Sequence, residues 1–232
     1  MIDVRRAGDR PTTPGDGTTT RHSFSFGSHY DPANVGFSVL VAHNDDRVEP
    51  GRGYDTHPHA DLEIVTWVLE GALLHTDSRG HTGELAPGVV QRLGAGSGVL
   101  HSEHASRHAS GGATRFVQMW LRPDEPGAEP SFDRAPAPTG PGLVPLLSGV
   151  RGLDAAAGLA VAGAALHVAR LAAGDAVALP DAARLHVFVA TGSAALEGAG
   201  TLGEGDAARV SGAGSRRLTG LADAEVLVWQ LP

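Results

Sequence analysis

A chain of 232 residues with 18 basic and 26 acidic side chains, a net charge of -8 and no cysteine rules out several classes at once. There can be no disulfide, thiolate zinc site, cysteine nucleophile or cysteine-held iron–sulfur cluster, so any metal must be gripped by imidazole and carboxylate. The acidic balance argues against a phosphate-backbone ligand, which needs a concentrated positive face, and no nucleic acid is expected as a direct partner. The polar first 21 residues lack the apolar core of a signal peptide, and the longest apolar run, 155–166, is shorter than the ~20 residues of a membrane span. The expectation is a cytoplasmic monomer with no membrane partner.

Along the chain, apolar stretches of strand length fall at 37–42, 62–69, 115–121, 166–171, 185–189 and 225–229, rich in β-branched and aromatic residues. The chain's 32 Gly and 15 Pro punctuate them, which predicts an all-β sandwich or barrel. Within 116–121 the apolar/polar alternation fails, so both faces of that strand are expected to be covered. Between 122 and 142 come Pro123, Pro126, Pro130, Pro136, Pro138 and Pro141 with almost nothing apolar, read as an extended connection. This divides the chain into 1–124, a Pro-rich linker at 125–142, and 143–232. The halves echo each other, 62–71 matching 185–192 and 115–121 matching 225–229, as expected of a β-barrel written twice. The Ala-rich segment 152–163 is expected to form a short helix.

Ten of the twelve histidines lie between His22 and His108. Two clusters stand out: His57-Pro58-His59, and His101-Ser102-Glu103-His104. In a strand, residues i and i+2 share a face, so His57 and His59 project together, as do His101 and Glu103. If the two strands face each other inside a barrel, three imidazoles and one carboxylate converge. Such a set suits a first-row divalent ion and leaves a position open for water or substrate. Taken singly, either pair reads better as unrelated polar loop residues, since H-x-H arises easily by chance in a His-rich chain; two pairs flanked by strand-like sequence favour the metal.

Glu63 reads either as a partner orienting His57 or His59 or as a solvent-facing strand residue. His29, His43 and His75 read as polar strand residues, and His104 and His108 as surface loop. The run 94–98, Gly-Ala-Gly-Ser-Gly, lacks the spacing and following helix of a phosphate loop and reads as a tight turn.

Four motifs in order, Ser23-Phe24-Ser25-Phe26 leading to Tyr30 and 39–44, Tyr54-Asp55-Thr56-His57-Pro58-His59, the run from Glu63 to Gly71, and Gly98-Val99-Leu100-His101-Ser102-Glu103, resemble the pirin family of the cupin superfamily. The resemblance covers the first 122 residues by motif and the remainder by architecture alone. It implies an all-β bicupin of two face-to-face β-barrel (jelly-roll) domains, with metal only in the first. It places the ligands on His57, His59, His101 and Glu103, around one divalent transition metal, iron(II) foremost, with Mn, Ni, Cu, Co or Zn as alternatives. At corresponding positions the second half has Ala178 and Pro180, and Ser215, Arg216 and Arg217, which cannot complete such a site.

The resemblance also implies function. One reading is a dioxygenase of the quercetin 2,3-dioxygenase type, cleaving flavonols with dioxygen and releasing carbon monoxide, with Glu103 as both ligand and catalytic base. The alternative is a non-enzymatic, redox-sensitive metal protein that binds a protein partner.

Overall fold

Frequent Gly and Pro keep the strands short, the longest described one being the nine-residue Leu40–Val48. The computed structural model describes residues 1–107, 112–212 and 214–232, so His108 lies outside the described residues. Among these, the helical content is a single 3-10 turn at Ala7–Asp9, and no helix is long and apolar enough to cross a membrane. The all-β expectation holds.

The chain gathers into two units. One comprises Pro11–Gly36 and Leu40–Pro136; the other comprises Met1–Arg10, Phe37–Val39 and Ala137–Pro232. The N-terminal residues go with the second because Ile2–Arg5 pairs antiparallel with Ala207–Ser211. Each unit contains a seven-stranded and a four-stranded sheet.

In the first unit the larger sheet runs Ser131–Pro136, Val89–Gly94, Glu63–Glu70, Thr114–Leu121, Leu40–Val48, Thr18–His22, Thr12–Pro14. The smaller runs Gly53–His59, Val99–Ala105, Leu73–Asp77, Thr82–Leu85. Between them lies a core drawn from both, including Val48, Val68, Leu73, Leu85, Ala105 and Phe116. Each large side chain so buried is worth ~1.5–3 kcal/mol. The other unit repeats the scheme, Arg184–Thr191 lying between Ala207–Ser211 and Ala224–Leu231 as Glu63–Glu70 lies between Val89–Gly94 and Thr114–Leu121. Its core is more apolar, with Leu185, Val187, Val226 and Val228 packed with Leu196, Leu202 and Leu218.

The structure differs from expectation at several elements. The 37–42 strand begins only at Leu40, because Ser38 turns the chain at φ 58°. The Ala-rich 152–163 segment forms no helix: it contributes Ala157–Gly158, which pairs in parallel with Leu147 and Ser148. Within the Pro-rich 125–142 stretch, Ser131–Pro136 is a strand on Val89–Gly94. It lies at the sheet edge, where a proline's missing N–H leaves no ladder bond broken. In Thr114–Leu121 both faces are buried apart from Trp120, as the failed alternation predicted.

One irregularity positions the site. Val99–Ala105 pairs with Gly53–His59 so that His101 faces His57 and Glu103 faces Tyr54, spending two residues on one strand against three on the other. This bulge turns Tyr54 and His57, which simple alternation would place on opposite faces, toward the same side. The two histidine motifs are therefore hydrogen-bonded neighbours in one sheet, not strands facing across the barrel. Gly53 makes the bulge possible: a Cβ there would lie 2.1 Å from the Glu103 carbonyl oxygen. Gly53→Ala is expected to destabilise the protein by ~1–3 kcal/mol through this overlap, read as a lowered Tm, whereas Ala at the exposed Gly158, which has no positive φ, meets no atom within 4 Å.

Candidate metal centre

The strand Val99–Ala105 alternates buried and less buried residues, which turns His101 and Glu103 inward and Leu100 outward. On its two sides stand Gly53–His59, carrying His57 and His59, and Leu73–Asp77, whose buried positions include His75 and Asp77. Three imidazoles meet: ring centroids are 4.9 Å apart for His57 and His59, 4.5 Å for His57 and His101, and 5.0 Å for His59 and His101. One nitrogen from each lies within 4.8 Å of the others. A second group with the same spacing joins His75, His101 and Glu103.

The hydrogen bonds around these rings leave nitrogen lone pairs to spare. His57 donates from Nδ1 to the Asp55 carbonyl at 2.7 Å, so its Nε2 carries the lone pair. His59 Nε2 and both ring nitrogens of His101 are buried with no hydrogen-bond partner. An unsatisfied buried polar atom costs ~1–3 kcal/mol, and clustering three such atoms on two rings multiplies that cost unless something accepts their electrons. Nitrogen donors with a nearby carboxylate are what a divalent transition metal accepts, so the residues fit a metal.

Electrostatics agree. Burial, and then the neighbouring His57, pulls the His59 imidazole down to about 4, while burial followed by His57, His59 and His75 pulls His101 down to about 3. Both rings are thus neutral, as a metal ligand must be. Burial pushes the Glu103 carboxyl up to about 7 despite the hydrogen bonds it accepts. Those come from Gln118 Nε2 to Oε2 at 2.6 Å and from the Thr66 hydroxyl to Oε1 at 3.5 Å. Trp120 Nε1 in turn donates to Gln118 Oε1 at 2.9 Å.

Beside His57 and Glu103 is a cavity of about 240 Å³. Phe26 and Trp120 supply apolar walls, meeting edge to face at 5.2 Å; Thr20, Asn44, Asp46, Tyr54 and Gln118 supply polar ones. The Tyr54 hydroxyl donates to Asp46 Oδ1 at 2.5 Å, and burial together with that carboxylate pushes the phenol well above its usual range. The volume is close to the lower end of the roughly 300–1,000 Å³ of small-molecule sites.

Three of the four expected site residues, His57, His59 and His101, thus come together as one group, while Glu103 groups with His101 and His75 and shares the cavity lining with His57. Glu63, by contrast, neither faces solvent nor orients a histidine: it is buried and paired with Arg92, whose Nε donates to it at 2.5 Å. His75 is no ordinary strand residue either. Fully buried, its ring lies 5.5 Å from that of His101. The spacing His75-x-Asp77 was the signal available in the sequence. Gln118 and Trp120, separated by the same i, i+2 step, became meaningful only once their strand was seen to face Glu103. In the other unit, Ala176–Ala178 pairs with Arg217–Gly220 with Ala178 opposite Arg217, and no comparable ligand group occurs there among the described residues.

A doubled sheet pair with a His/Glu cluster in one unit defines a two-domain cupin. Residues 4–121 match the family model described as Pirin, and the chain belongs to the pirin family. A Mycobacterium tuberculosis H37Rv protein named "Putative quercetin 2,3-dioxygenase Rv0181c" is 47% identical over 233 residues, covering 99% of this chain and 95% of its own. The Escherichia coli K12 quercetin 2,3-dioxygenase is 40% identical over 134 residues, covering 58% of this chain and 57% of its own. The crystal structure of the bacterial pirin YhhW from Escherichia coli in complex with nickel(II) superposes with a TM-score of 0.91 at 31% identity, covering 100% of this chain and 99% of that one. A divalent metal site is thus supported by the chain's own donors and by a nickel-bound relative.

The depressed imidazoles make a pH prediction. An unfolded chain protonates His59 and His101 near 6.5 while the fold keeps them neutral, so their contribution is intact above that pH and is lost as pH falls toward 4, at about 1.4 kcal/mol per unit of depression. Glu103 acts oppositely, favouring the fold below its ordinary 4.5 and losing that contribution as pH rises through about 7, but one carboxyl is outweighed by two imidazoles. Metal-free protein should show a Tm that falls between pH 6.5 and 4, and His101→Ala should fall less steeply. Equal slopes in the two proteins would remove the account.

Proposed function

We propose that this chain is a metal-dependent dioxygenase that opens flavonols such as quercetin with dioxygen and releases carbon monoxide. His57, His59, His101 and Glu103 are the proposed ligands, and iron(II) is the proposed native ion. The observation that carries the reading is the cavity, which places an aromatic-walled space directly against His57 and Glu103. A barrel closed over its ion would favour a regulator that only binds a protein; an accessible pocket favours turnover.

A bound divalent ion supplies Lewis acidity, lowering the pKa of a hydroxyl that reaches it. The remaining chemistry belongs to the chain. Phe26 and Trp120 offer faces and edges to a planar ring system. Glu103, held by Gln118 and Thr66 and raised to about 7 by burial, is poised as a general base near neutral pH for the flavonol 3-hydroxyl proton. Removing that proton makes the ring electron-rich enough to react with dioxygen. The apolar walls and the Trp120–Gln118–Glu103 chain keep the carboxylate oriented and the reacting ring away from water.

The test is anaerobic loading of the purified chain with each divalent metal in turn, followed by aerobic assay of flavonol loss and carbon monoxide. Turnover of at least one flavonol is expected; full metal occupancy with no turnover on a flavonol panel would return the reading to a binding protein. Glu103→Gln should lower kcat/KM by about 10²- to 10⁴-fold, the usual contribution of a positioned base. His101→Ala should abolish tight metal uptake while leaving the β-sheet circular dichroism intact, since the cores of both units are built from other residues.

A further inference from the structure

On the side of His101 away from His57, a second set of donors has the arrangement of a ligand site. His75 is fully buried, and its Nε2 lies 3.1 Å from Asp77 Oδ2. That carboxylate also accepts the backbone amides of Arg79 and His81 and the ring Nδ1 of His81, so it is an acceptor only and His75 must donate to it from Nε2. The tautomer is thereby fixed, with the lone pair on Nδ1. That atom is buried without a hydrogen-bond partner. Phe132 stacks on the His75 ring at 5.2 Å and on His81 at 4.5 Å, holding the imidazole plane.

A buried imidazole with one nitrogen tied to a carboxylate and the other unsatisfied is the arrangement of a metal-ligating histidine. The atoms needed to complete a site are at hand: one donor each from His75, His101 and Glu103 lies within 4.8 Å of the others. We infer that the barrel offers a divalent ion a second, alternative position, held by His75, His101 and Glu103, beside the proposed one on His57, His59, His101 and Glu103, with which it shares His101 and Glu103. Because His101 serves both, the positions exclude each other and the chain takes up one ion. In the second position the ion leaves His57 and His59 unligated. The inference rests on the reading that this barrel binds a divalent metal.

Cobalt(II), whose visible absorption reports its ligands, is the probe. Wild type should take up one equivalent. The double variant His57→Gln/His59→Gln should still take up one equivalent, 10- to 100-fold more weakly and with an altered absorption envelope. Adding His75→Gln to it should weaken uptake by at least a further 100-fold, and adding Asp77→Asn instead should weaken it about 10- to 100-fold. Far-ultraviolet circular dichroism identifies any variant that has lost its fold; His57→Ala/His59→Ala replaces a double variant that fails, and His75→Ala serves if the triple fails. Loss of all cobalt uptake in a folded double variant, or equal uptake in folded double and triple variants, overturns the second position while leaving the first intact. Failure of wild type to bind cobalt overturns both.

Discussion

The pairing of Gly53–His59 with Val99–Ala105, carrying one extra residue between Tyr54 and His57, is the constraint on which the site depends. It sets His57 against His101 and Tyr54 against Glu103, so that the imidazole cluster and the Tyr54–Glu103 side of the cavity are built by the same two strands. The bulge in turn requires Gly53, since any side chain there would overlap the Glu103 carbonyl. The regular part of the pairing sets the imidazoles together, and the bulge then brings Tyr54 and Glu103 to the same face.

Around that pairing the electrostatics are arranged by burial. The imidazoles of His59 and His101 lose their affinity for protons because water is excluded and their neighbours are other imidazoles; the carboxyl of Glu103 gains affinity for the same first reason. One environment therefore prepares neutral nitrogen donors and a carboxylate whose proton is exchangeable near neutrality. The other unit has the same sheet scheme with Ala178 against Arg217, and a core of valine, leucine and alanine. The fold alone thus accounts for none of the site chemistry, which rests on side chains at a few inward positions.

Much of this was legible in the amino-acid sequence because it is local. The i, i+2 spacing of His57 and His59, and of His101 and Glu103, requires only that the segments be strands. The duplicated order of strands was visible for the same reason. What stayed hidden depends on pairing between distant segments: the bulge, the buried Glu63–Arg92 pair 29 residues apart, and the joining of Ile2–Arg5 to Ala207–Ser211. Proline density disguised Ser131–Pro136 as a connection, because sequence does not say which strand will occupy an edge. Alanine richness suggested a helix at 152–163, where the chain's only regular pairing is with Leu147 and Ser148.

Trp120 forms part of the cavity wall and also holds, through Gln118, the carboxylate of Glu103. A replacement there reshapes the space available to a ligand and loosens the carboxylate in one stroke. Selectivity and reactivity in this pocket are accordingly a single inherited trait, and variants chosen for a new ligand shape will arrive with an altered acid–base profile unless Gln118 changes in step.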